Sequence, residues 1–140
     1  MSAARHGRPP DLDELVRLGE EVLAELPEFV RAHIGAVPVR VEDFADEATL
    51  ADLGIENPFD LSGLYRGVPI GHKESVIPTG EPDMIFLYRR PILEEWCEED
   101  VPLKDVVRTV LVHEIGHHLG LSDEDIDRLE EEARLEDEPG

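Results

Sequence analysis

Cysteine occurs once in this chain, as Cys97, so no internal disulfide can form and a reducing compartment suits it. A run of about 18 apolar residues is also missing, which excludes a membrane-spanning helix. The first ten residues carry basic side chains but no apolar stretch, so they do not read as a secretory signal, and the expected location is cytoplasmic. Basic residues are scarce: 13 Lys and Arg stand against 34 Asp and Glu, for a formal charge of −21. That charge repels the phosphates of nucleic acid and acidic membrane surfaces, and Arg89-Arg90 and Lys104 with Arg108 make no basic patch to offset it. The same field draws in cations and basic polypeptides.

What is there fits one domain with one sizeable core in 140 residues. Residues 1–10, closed by Pro9-Pro10, read as a disordered leader, 11–135 as the domain and 136–140 as an acidic tail. No internal repeat is visible. The chemistry concentrates at 113–123, His-Glu-Ile-Gly-His-His-Leu-Gly-Leu-Ser-Asp. On a helix, residues four apart lie about 40° from each other, so His113 and His117 can face one metal ion together. Glu114, about 100° further round, can reach a water on that ion without binding it. Gly120 can adopt positive φ, stop the helix and turn the chain so that Asp123 supplies a third, oxygen ligand. Two imidazoles and a carboxylate leave a fourth tetrahedral position open, the pattern of a catalytic zinc site. At this composition the full pattern arises by chance in roughly 3 of 10,000 shuffled sequences. Asp123 also has a plain reading as a first-turn acid of the next helix, behind an N-cap at Ser122. His118 lies on another face and reads as a packing residue or as support behind the ligands.

The remaining pattern predicts a helix from Asp11 to Leu26, stopped by Pro27, then a short helix closed by Gly35. Val37, Val39 and Val41 alternate as a strand, placed at an edge or strand start by Pro38. Residues 46–53 suit a short helix capped by Asp46 and stopped at Gly54; 55–60 is loop. Residues 61–70 read as strand and turn, and 71–83 as a polar loop able to cover a cleft. Met84 to Tyr88 is the strongest strand signal and is expected to be an exposed edge on which an extended peptide pairs. A short helix follows at 91–99. Asp100 is expected to cap the main helix, 101–119, where Val106, Val110, His113 and His117 form one stripe, so that the metal ligands continue an apolar face. A last helix runs from Ser122 to Glu138. Tyr65, Tyr88 and His72 are candidates to stabilise an oxyanion, each with a plain structural reading beside it.

The motif HEIGHHLGLSD resembles that of the small bacterial zincin-like metallopeptidases, described as having a minimal zincin fold. Three weaker signatures agree: GLYRGVPI at 63–70, PDMIFLYRRPI at 82–92, and Leu-Pro followed by Val-x-Val within 26–41. Together they cover most of residues 12–130. The resemblance implies an α/β (α+β) fold with a small mixed sheet packed on the active-site helix and the metal in a cleft. It implies His113, His117 and Asp123 as ligands of one Zn²⁺ per chain and Glu114 as general base. The expected reaction is attack of a metal-activated water on a peptide carbonyl, with a peptide or protein substrate, preferably basic or unstructured. Cys97 is expected to be a free thiol. Two other classes stay open: a non-catalytic zinc-binding interaction module, and a metal-dependent RNA-processing hydrolase, which the net charge opposes.

Overall fold

A computed structural model describes residues 9–67 and 83–137. Its first helix, α1 (Leu12–Glu25), begins where Asp11 accepts the Glu14 N–H at 2.9 Å while Glu14 reaches back to the Asp11 amide, a capping box. Leu15 and Val22 lie on its inner face and are fully buried. Pro27 separates it from α2 (Glu28–Ile34), as the sequence predicts. Then come β1 (Val39–Glu42), α3 (Glu47–Leu53), a 3-10 turn at Pro58–Asp60, β2 (Gly63–Arg66) and β3 (Met84–Tyr88). Three helices complete the described residues: α4 (Arg89–Glu98), α5 (Leu103–His118) and α6 (Asp123–Asp137).

The sheet order is β1-β3-β2, with β1 parallel and β2 antiparallel to β3. The expectation that Met84–Tyr88 is an edge is therefore wrong: β3 is central, paired on both sides. Its unbroken apolar run was the clue, because a strand covered on both faces needs apolar side chains at every position. Ile85 and Leu87 point into the main core with Leu15, Val22, Leu111, Ile115 and Ile126. Phe86 and Tyr88 alternate to the other face, where they meet Ala45, Leu50, Ile55, Leu61 and Leu64. Among the described residues the outer strands are β1, as Pro38 suggested, and β2.

Helix α5 packs against α1, α4, α6 and β2. Val107, Leu111, Val112 and Ile115 are fully buried, each such side chain contributing about 1.5–3 kcal/mol. Two helix starts depart from expectation. Asp100 does not cap α5; Pro102 precedes its first residue without a side-chain bond, and the fixed proline φ replaces a polar cap. Helix α4 starts two residues early, at Arg89, with Pro91 tolerated in its first turn.

Two glycines set the packing around the polar end of α5. A side chain at Gly116 would bring Cβ to 2.4 Å from Ile126 Cγ1, so its absence lets α6 cross close to α5. Gly120, at φ +77°, ends the helix, with the Leu121 N–H donating back to the Gly116 carbonyl at 2.9 Å.

Candidate metal centre

Three turns of apolar packing hold α5 in place before the polar residues begin. His113 and His117 then follow Val106 and Val110 along one side of the helix, as their spacing demands. They do not continue the apolar face under cover. Val106 and Val110 are buried, whereas the His113 side chain is 42% exposed and His117 is exposed, because the stripe leaves the core near the helix end. The two ring centres are 6.4 Å apart and nearly perpendicular, at 85°. Two imidazoles on one tetrahedral zinc would have ring centres roughly 5 Å apart, so the donors fit in kind and in helical spacing but stand splayed.

Glu114 is held differently. It is half-buried, and burial pushes its carboxyl above the ordinary range. A hydrogen bond from the Tyr65 backbone, then the nearby His117 and His113, oppose that rise. The strand reaches Glu114 because residue 63 is glycine. A Cβ at Gly63 would stand 2.5 Å from Val110 Cγ1 and 3.7 Å from Glu114 Cγ, so β2 rests directly on this turn of α5.

The turn at Gly120 forms as expected, and Ser122 accepts the Asp125 N–H at 3.1 Å, the N-cap anticipated for α6. Asp123 is exposed in the first turn of α6. Among the described residues no three His, Cys, Asp or Glu side chains converge closely enough to hold a metal, so Asp123 is not brought together with the two imidazoles. The carboxylate that does approach is Glu130 of α6. Its Oε1 is 3.4 Å from His113 Nε2, and its other oxygen accepts from Thr109 Oγ1. Sequence reasoning missed Glu130 although a signal existed. It lies one turn beyond Ile126, on the face of α6 that Ile126, Leu129 and Ala133 turn toward the core.

Two of the three oxyanion candidates, Tyr65 and Tyr88, lie among the described residues. The Tyr65 hydroxyl donates to Asp83 Oδ2 at 2.9 Å, and burial first, then Asp83, raises its pKa. Tyr88 is buried in the second core layer, where burial pushes its hydroxyl up to about 12. His72 and most of the 71–83 loop lie outside the described residues. His118 is buried and stacks on Tyr65 with ring centres 3.9 Å apart, which agrees with its reading as a packing residue. Cys97 is an exposed free thiol on α4.

The described residues include no helix long and apolar enough to cross a membrane. The model of a family described as zincin-like metallopeptidase matches residues 34–133, which include every site residue named here. The chain belongs to the zincin-like metallopeptidases. It is also similar to the tyrosine recombinase XerD of Pasteurella multocida (strain Pm70), at 32% identity over 130 residues. That match takes in 86% of this chain but 39% of the recombinase, so the chain spans well under half of that relative.

Proposed function

We propose that this chain is a zinc-dependent metallopeptidase-like hydrolase in which Glu114 is the general base. The observation that carries this reading is the setting of Glu114: half-buried one residue from His113, between two imidazoles and under a strand whose backbone hydrogen-bonds its carboxylate. A purely structural metal site has no use for such a carboxylate. His113 and His117 would hold one zinc, with Asp123 as third donor, as the motif implies. The ion would supply Lewis acidity, lowering the pKa of a coordinated water and polarising the scissile carbonyl.

The protein's own part is proton handling and positioning. Burial gives Glu114 more proton affinity than a solvated glutamate, which suits taking a proton from water and passing it to a leaving amine. The Tyr65 N–H and the imidazoles oppose that rise by favouring the ionised form. Edge strand β2, and not β3, is the place for an extended peptide to pair, since its outer backbone passes beside Glu114. The acids Asp123, Glu124 and Asp125 open α6, which follows the motif helix directly, and the net charge is −21, so basic or neutral residues should flank the scissile bond. The same charge weighs against DNA or RNA as substrate, and the recombinase similarity is not carried over as an activity.

A quenched-fluorescence library of unstructured peptides, profiled with wild type and Glu114→Gln at equal zinc content, tests the reading. Cleavage should depend on Glu114, favour Lys or Arg near the cut, and lose that preference as salt rises. Zinc-loaded protein that cleaves nothing would leave a non-catalytic zinc-binding module as the better account.

A further inference from the structure

Adjacent histidines end α5, and they face opposite ways. His117 is exposed, while His118 is 8% exposed and turned inward. A buried imidazole needs a partner, and two are in place. The Tyr65 ring stacks on it at 3.9 Å between centres and 17° between planes, and Asp83 Oδ2 lies 3.8 Å from His118 Nε2. The same Asp83 oxygen accepts the Tyr65 hydroxyl at 2.9 Å. Three elements meet there: Tyr65 on β2, Asp83 just before β3, and His118 at the end of α5. The crossing is close, since a Cβ on Gly67 would fall 2.4 Å from Asp83 Oδ1.

Tyr65 therefore works in two directions. Its side chain is fixed to Asp83 and His118, and its backbone amide meets Glu114. Pairing with Ile85 sets its register along the sheet, and among the described residues β2 is paired on one side only, by β3. We propose that Tyr65, Asp83 and His118 form a brace that holds the β2 edge where its Tyr65 N–H meets the Glu114 carboxylate, so that Asp83 and His118 are positioning residues for the general base. The role in catalysis rests on Glu114 being that base; the brace itself is tested without catalysis.

Native-state amide hydrogen exchange on the full chain, read by NMR, is the test. Tyr65→Phe removes one oxygen and keeps the stacking ring; Asp83→Leu removes the acceptor. Both should speed exchange of the residue 65 amide by about tenfold, while the Leu111 and Ile115 amides of α5 stay within about twofold. Asp83→Asn keeps an acceptor for the hydroxyl and should restore protection to within about threefold of wild type. An unchanged residue 65 amide in Tyr65→Phe overturns the brace. So does a parallel rise at residues 65, 111 and 115, which would mean general stability only. Should Asp83→Leu fail to fold, Tyr65→Phe decides alone. In a peptide-cleavage assay, Tyr65→Phe should lower kcat about tenfold with KM and zinc content within about twofold; an effect confined to KM would overturn the link to Glu114. Absence of Glu114-dependent cleavage in wild type would strike the hydrolase reading and leave the exchange result standing.

Discussion

The two sides of the polar end of α5 are built to different standards. On the β2 side, Glu114 sits under a strand that rests on Val110, and Tyr65, Asp83 and His118 interlock behind it. On the other side, the rings of His113 and His117 stand 6.4 Å apart and nearly perpendicular, and Glu130 of α6 is beyond a good hydrogen bond from His113. The fold thus surrounds Glu114 with packing and a strand backbone, whereas the two imidazoles stand apart near an open helix end. The difference matters physically: a carboxylate that binds nothing strongly must be oriented by its surroundings, and histidines that hold a metal are oriented by partners to their other ring nitrogen.

The strongest way to break this comparison is to remove the base and leave everything else. Glu114→Gln keeps the shape and the Tyr65 contact but cannot accept a proton. Peptide cleavage should fall roughly 10²–10⁴-fold, with zinc content unchanged by elemental analysis. Cleavage that survives this substitution would mean that the well-built side of the site is not the working side.

The ligand side is sharpened by setting its two carboxylates against each other. Asp123→Asn keeps the helix-start geometry and removes the charge, so zinc affinity measured by chelator competition should fall at least about tenfold. Glu130→Gln should change it by less than about threefold if Glu130 merely faces His113. The reverse ranking would make Glu130 the third donor, with Thr109 orienting it.

This is also where the sequence stopped being legible. The His-Glu-x-x-His spacing needs only helix geometry, so His113, Glu114 and His117 could be grouped from the chain alone, and Gly120 announced the turn. The long helices, the break at Pro27 and the caps at Asp11, Asp46 and Ser122 were equally local. The centrality of β3, the approach of Glu130 and the meeting of Tyr65 with Asp83 and His118 all depend on pairings far apart in the chain. Periodicity says which face of an element is buried, and not against what.

Gly63 tests how closely β2 must lie on α5. Gly63→Ala places a methyl against Val110, and overpacking of this kind costs about 1–3 kcal/mol, read as a lower urea midpoint. Val110→Ala added to it should recover more than half of that loss, because it removes the opposing methyl. If the double variant is no better than the single one, the contact with Val110 is not what limits the strand's approach.

The smallest effect concerns the opposite face of the same strand. Arg66, the last residue of β2, donates to Thr49 Oγ1 at 3.1 Å, and Thr49 is held in the first turn of α3 by Asp46, which accepts its N–H at 2.7 Å. Those bonds to Thr49, with a lesser contribution from the Arg66 charge, lower the Asp46 pKa below its ordinary 3.8. A carboxylate with a depressed folded-state pKa stabilises the fold above its unfolded value, and that contribution is lost as pH falls through the folded one. Asp46→Asn retains a capping oxygen but has no charge to titrate. The wild type should therefore have the higher urea midpoint at pH 6, and the gap should close progressively as pH falls below 3.8. A gap that is constant with pH would assign the whole effect to side-chain geometry. A gap that widens in acid would contradict the depressed pKa, and with it the idea that α3 anchors the outer face of β2 through charge.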